Sequence, residues 1–176
     1  PSRRSDVKGK VFLLKDCLPN VPDNLELLFL KSNNVMMKTS PLVDISQGIS
    51  ELKGVKEIHV VAVKNEVKEL LWILEKESSG DILIKTVNLI GEDKQEFEFA
   101  LSSEGNQDPK YSLPLNYLYE PNSAILKSGA FNQVSVQLEL FKLNKHSHLY
   151  TSQDLIPFPG RSFEIKEVIP FQKKVL

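Results

Sequence analysis

Apolar and polar positions along this chain change their period twice, and each change predicts a different kind of structure. Up to Gly54, short apolar runs alternate with segments whose apolar residues recur every three or four positions. Lys10 to Asp16 (KVFLLKD) has the length of a strand. VPDNLELLFLKS then predicts a helix: Pro22 and Asp23 supply its start, Glu26 follows Asp23 at capping-box spacing, and Leu25, Leu28 and Phe29 form one face. NNVMMKTSP predicts a strand that stops at Pro41. A second helix, DISQGISELK, is capped by Asp44 or Ser46, carries a stripe of Ile45, Ile49 and Leu52, and ends at Gly54. Strand, helix, strand and helix in this order is the rhythm of a parallel sheet covered by helices.

Beyond Gly54 the period shortens. EIHVVAVK and VKELLWILE are apolar runs separated by Asn65-Glu66, which predicts a hairpin. ILIKTVNLI and QEFEFAL follow, joined by Gly91 to Lys94; Phe97, Phe99 and Leu101 alternate with Glu96 and Glu98, the period-two mark of a half-exposed strand. These strands are expected at the far edge of the same sheet. Ser102 to Asn116 is polar and turn-rich, a linker and the expected domain boundary. After it come a strand at YLYE, a helix start at Pro121-Asn122-Ser123, and the two-sided stretch FNQVSVQLELFKL. There Phe131, Val134, Leu138 and Phe141 fit a helix, while Val134, Val136, Leu138 and Leu140 fit a strand. The helix is favoured because it continues one already begun. HLYTS is expected to be extended, with Ser152 capping a single turn at QDLI. Phe158-Pro159-Gly160 turns into a strand at RSFEIKEVI.

Composition removes several classes. Of 176 residues 41% are hydrophobic and 26% charged, with a net charge of -1, which excludes a disordered, fibrous or low-complexity chain. A single cysteine allows no internal disulfide and points to a reducing compartment, hence the cytoplasm. No apolar run approaches the roughly 18 residues of a membrane span, so no membrane partner is expected. PSRRSDVKGK at the start is basic but leads into no signal-type stretch. Charge is unevenly spread: residues 1–43 sum to +3, 44–110 to -6 and 111–176 to +2. An anionic partner would therefore approach the ends.

Candidate chemistry is sparse. Cys17 is the only thiol and reads first as a core residue. His146 and His148 would share one face of a strand and could ligate a metal, the basis of a hydrolase reading. No third ligand is evident, so no metal is expected. His59 reads as a sheet histidine with its needs met. Neither GxGxxG nor GxxxxGK[ST] occurs, so no phosphate-cradling loop is present. Trp72, Phe97 and Phe99 read as core; Tyr117 and Tyr119, beside the linker, are the better candidates for stacking on unpaired bases. Arg161, Lys166, Lys173 and Lys174 form a modest basic set suited to phosphates.

Three stretches together carry a family resemblance: YLYEPNSAILKSGAF (Tyr117 to Phe131), HSHLYTSQDL (His146 to Leu155) and FPGRSFEI (Phe158 to Ile165). They resemble the C-terminal region of the THUMP-like proteins found mainly in Bacteroidetes, which look like class I S-adenosylmethionine-dependent methyltransferases acting on RNA. PSRR resembles the tail of their D-P-x-R-R motif, with the aspartate missing before Pro1. VMMKTSPLVDIS is similar to a strand-to-helix motif of the same domain, and EIHVVAVKNEVKELLWIL to the hairpin after it.

This resemblance implies an α/β chain. Residues 1–101 would be the C-terminal half of a Rossmann-like methyltransferase sheet, 102–116 a linker, 117–157 a ferredoxin-like segment and 158–176 the start of a THUMP-like module. The cofactor of the parent enzyme would be S-adenosylmethionine, bound by a glycine-rich loop and an acidic residue in the half that precedes this chain. The chain alone would then bind no cofactor and hold no complete catalytic set. Arg3, Arg4, Lys38, Ser40 and Pro41 would line the substrate mouth, and Tyr119, Lys127, Arg161, Lys173 and Lys174 would contact RNA, either tRNA or rRNA. The alternative is a non-catalytic RNA- or protein-binding module that self-associates through the exposed edge of an incomplete sheet.

Overall fold

Asn20 sets the start of the first helix. Its side-chain oxygen accepts the Asp23 N–H at 3.1 Å, while its amide donates to the Asp23 carboxylate at 2.8 Å. Pro22 lies in the first turn, where a missing N–H is no loss. The helix α1 therefore runs Val21–Phe29, and its cap stands three residues ahead of the expected Asp23. The computed structural model describes Arg3, Arg4 and residues 13–169. The strand expected over Lys10 to Asp16 is displaced. Lys10 to Phe12 lie outside the described residues, Leu14–Asp16 is a 3-10 turn, and the strand itself, β2, is Cys17–Leu18. It pairs antiparallel with β1 at Arg3–Arg4.

Next come β3 (Asn34–Thr39), α2 (Ile45–Glu51) and β4 (Val55–Val63). Asp44, rather than Ser46, caps α2 by accepting the Gln47 N–H at 2.9 Å. Lys64 and Asn65 then take φ 51 and 61, the paired left-handed turn that matches strand twist, and β5 (Glu66–Glu75) folds back on β4. A second tight turn, with Gly91 at φ 64, joins β6 (Leu83–Ile90) to β7 (Asp93–Ala100).

These strands form a five-stranded sheet in the order β3-β5-β4-β6-β7. β3 and β4 are each antiparallel to β5, so they point the same way, joined by α2 as a strand-helix-strand unit. The sequence rhythm predicts neighbouring parallel strands; instead β5 is inserted between them, and β4 with β6 is the adjacent parallel pair. The physical reason is local. The two-residue turn forces β5 onto β4, leaving β5 one free edge for β3.

One face of this sheet makes the core. Ile58, Val60, Leu70, Trp72, Leu74 and Ile84 are fully buried there, with Phe97 and Phe99 beside them, and α2 and α4 (Ser123–Ser128) pack on it. Glu57, His59, Leu71 and Lys85, whose strand positions alternate with these, face the other way.

A second, four-stranded antiparallel sheet has the order β11-β8-β10-β9, formed by Gly160–Glu164, Tyr117–Pro121, Tyr150–Ser152 and Phe141–Lys142. The strand over Gly160–Glu164, attributed by resemblance to a further module, is thus paired with β8 in this sheet. The two-sided stretch resolves into both alternatives in turn: α5 spans Phe131–Gln137, Glu139 takes φ 54, and β9 follows. No helical turn forms at QDLI, because the Ser152 hydroxyl donates to the Asp154 carbonyl rather than capping. The 102–116 segment opens on the short helix α3 (Leu101–Gly105). It is later tied to the second sheet by Lys142 N–H to the Lys110 carbonyl at 2.8 Å and Leu115 N–H to Thr151 Oγ1 at 2.8 Å. The described residues form a mixed α/β fold with a mixed five-stranded sheet, an antiparallel four-stranded sheet and the two-stranded ribbon of β1 and β2.

Candidate functional site

Open α/β sheets bind ligands beyond the carboxyl ends of their strands. β3 ends at Thr39, whose Oγ1 accepts the indole N–H of the fully buried Trp72 at 2.9 Å, so the end of the strand is fixed from within the core. Beyond it Ser40 organises a turn: its hydroxyl oxygen accepts the Leu42 N–H at 3.3 Å and its carbonyl accepts the Val43 N–H at 3.2 Å. A cavity of about 150 Å³ opens here, lined by Leu14, Cys17, Pro19, Met37, Lys38 and Thr39, with Val21 of α1. Arg4 and Arg3 lie opposite Cys17 and Leu18 in the small ribbon, so that ribbon brings their backbone to a strand sharing a cavity with Lys38. Lys38 Nζ pairs with Glu69 at 3.0 Å and remains largely exposed.

S-adenosylmethionine does not fit this cavity. Ligand pockets start at about 300 Å³, twice the volume available, and among the described residues no carboxylate lines the space to take a ribose.

A larger cavity, about 580 Å³, lies on the other face of the five-stranded sheet, bordered by His59, Lys85, Glu96, Glu98 and Gln137. It sits along the strands rather than at their ends. Beside it the Glu57 carboxylate accepts from Lys85 Nζ at 2.9 Å and meets His59 Nε2 at 2.9 Å. Lys85 first, then His59, hold that carboxyl below its ordinary range. His59 therefore has its partner, as the sequence suggests. Glu57 and His59 at alternate positions of one strand are a legible signal, but Lys85 joins them only through the parallel register of β4 with β6.

The residues nominated for RNA divide sharply. Tyr119 is corrected outright: it is fully buried, its hydroxyl donates to the Asp154 carbonyl at 2.9 Å and accepts the Ile156 N–H at 3.1 Å, and no base can stack on it. Lys127 is half-buried and donates to the Val43 carbonyl at 2.8 Å. Arg161 is exposed on the strand β11, paired with Glu120 and 5.8 Å from the ring centroid of Phe163, an exposed aromatic that sequence reading passed over. Lys166 pairs with Glu164. Lys173 and Lys174 lie outside the described residues.

The histidine pair is corrected as well. His146 sits in a turn and His148 in the irregular stretch after it, neither on a strand. The His148 ring stacks on Phe131 with centroids 3.7 Å apart, and burial, then the Lys142 charge, lower its pKa. Among the described residues no three of His, Cys, Asp and Glu come together in a metal-holding group. Cys17 is nearly buried, with its thiol 3.5 Å from the Leu13 carbonyl. Among the described residues no helix is long and apolar enough to cross a membrane.

No curated protein matches this chain. Residues 117–159 match a family described as a ferredoxin-like domain, which covers β8, α4, α5, β9 and β10. A proposed methyltransferase from Porphyromonas gingivalis W83, known from its crystal structure, is 38% identical over 92% of this chain, with a TM-score of 0.85. The chain spans 42% of that protein's length, so it is similar, through nearly all of its own residues, to part of a larger protein of the methyltransferase type.

Proposed function

We propose that this chain is the C-terminal part of an S-adenosylmethionine-dependent RNA methyltransferase of class I, with a THUMP-like accessory region. The observation that supports the enzyme class is the 38% identity and TM-score of 0.85 to the Porphyromonas protein. The turn after β3 is assigned to substrate entry, with Lys38, Ser40 and Pro41 on one side and Arg3 and Arg4 on the other; arginines there suit phosphates. The accessory region is assigned to RNA reading, with Arg161 and Phe163 as its exposed cation and aromatic ring and, from the sequence, Lys173 and Lys174 as further cations. The cofactor is assigned to the part of the parent that this chain does not span, because the chain covers 42% of the length of the Porphyromonas protein.

Binding of bulk tRNA, against duplex DNA across a salt series, tests the RNA assignment. The expected result is a preference for tRNA that weakens steeply with salt and falls in Arg161→Ala. No binding at low salt removes the RNA role. Micromolar binding of S-adenosylmethionine by this chain alone would overturn the assignment of the cofactor site to the part of the parent that the chain does not span.

A second reading has one observation in its favour. β3 is an edge strand of the described sheet, and Met36 on it is 71% exposed. Such an edge favours strand addition, so the alternative is a non-catalytic module that pairs with a second copy. Sedimentation tests it: a strict monomer at high concentration removes that reading.

A further inference from the structure

The carbonyl of Val43 is met from an unexpected direction. Val43 itself is 1% exposed and lies between the Ser40 turn and the Asp44 cap of α2. The Val43 N–H is used locally, on the Ser40 carbonyl, and the Leu42 N–H is used on the Ser40 hydroxyl. Its oxygen instead accepts Lys127 Nζ at 2.8 Å, from α4 of the ferredoxin-like domain, 84 residues further along the chain. The Asp44 carboxylate adds Coulombic attraction to the same ammonium. α4 is itself held firmly. Ala124 and Ile125 are fully buried against the sheet, and Asn122 caps the helix through the N–H groups of both at 3.1 Å. Lys127 thus links a fixed helix of one unit to the loop that follows β3 in the other.

We propose that Lys127 is a positioning residue that fixes the Ser40–Asp44 loop from the ferredoxin-like domain, so that the border of the substrate mouth is set by the accessory unit. Calling that border a substrate mouth rests on the methyltransferase reading. The brace does not, and it is measured without substrate or RNA. A buried carbonyl deprived of its donor destabilises its surroundings locally, and a lysine stem retained as methionine keeps the packing.

Amide hydrogen exchange on the full chain, resolved to single residues, tests the brace. In Lys127→Met, exchange at Leu42, Val43, Gln47 and Gly48 is expected to rise about 10-fold, while Ile58 and Ile84 keep wild-type rates. Lys127→Arg is expected to restore most of the protection. Unchanged exchange at residues 42–48, an equal rise throughout the sheet, or no restoration by arginine overturns the proposal. Should Lys127→Met not fold, Lys127→Gln is read in the same way, because its shorter side chain stays polar but is withdrawn from the Val43 carbonyl. A rise confined to residues 42–48 supports the brace, and no rise overturns it. Failure of the unaltered chain to bind tRNA, with exchange at residues 42–48 changing as expected in Lys127→Met, would instead overturn the functional reading alone.

Discussion

Gly48 lies against the indole of Trp72 so closely that a Cβ there would overlap Cη2 and stand 2.8 Å from Cζ2. The ring has nowhere to retreat. It is fully buried, and its N–H is committed to Thr39 Oγ1 at 2.9 Å. The missing side chain at position 48 therefore lets α2 approach the sheet and keeps the end of β3 fixed.

Gly48→Ala is accordingly expected to destabilise the chain by about 2–3 kcal/mol, the upper part of the range for overpacking a core. A urea titration followed by Trp72 fluorescence reads both the loss of stability and the changed indole environment. An unchanged midpoint would mean that α2 shifts freely over the sheet.

Tyr119→Phe removes a hydroxyl with three partners: the Asp154 carbonyl, the Ile156 N–H, and Ser152 Oγ at 2.9 Å. Leaving those groups unmet is expected to lower stability by about 1–3 kcal/mol. Affinity for tRNA is expected to stay at the wild-type value, because the ring is not a stacking surface. Thermal melts and a binding titration on the same sample separate the two.

Much of the fold was legible where burial is one-sided. Phe97 and Phe99 alternate with Glu96 and Glu98 because only one face of β7 meets the core, and Asp44 and Asn122 are recognisable caps because their chemistry is local. What stayed hidden depends on partners distant in sequence. The hairpin of β5 on β4 is local, but the docking of β3 on the remaining edge of β5 is recorded by no run of residues. Tyr119 looks like a surface aromatic until residues 152–156 fold over its hydroxyl. Lys127 reads as a free cation for the same reason: its acceptor, Val43, lies in the other unit. Of the candidate site, the Ser40-Pro41 end of β3 was legible, while the cavity beside it required β2 and α1 to be placed.

Gln95 is the hinge of the contact between the two units. Its Oε1 accepts from Asn88 and from Asn122, each at 3.1 Å, and its Nε2 donates to the Gly160 carbonyl at 3.2 Å. Gln95→Leu keeps the size and removes all three bonds. A loss of about 2 kcal/mol is expected, together with separation of one thermal transition into two as the ferredoxin-like domain melts ahead of the five-stranded sheet. Calorimetry checks this, and a single transition of unchanged cooperativity would mean that the other contacts between the units, Lys127 with Val43 among them, suffice to couple them.

His148 supplies a pH dependence with a definite sign. Burial against Phe131, then the nearby Lys142 charge, place its folded pKa below the ordinary 6.5. The folded protein therefore binds this proton more weakly than the unfolded chain does. Stability from this group is fully present above pH 6.5 and is lost as pH falls from there through the depressed folded pKa. His148→Phe keeps a ring over Phe131 and removes the titration. The difference in Tm between the two proteins, measured from pH 8 to pH 5, is expected to be flat above neutrality and then to move in favour of His148→Phe on acidification. A difference that stays constant across that interval would mean that the imidazole is as easily protonated in the folded protein as in water, and that the stack on Phe131 opens freely to solvent.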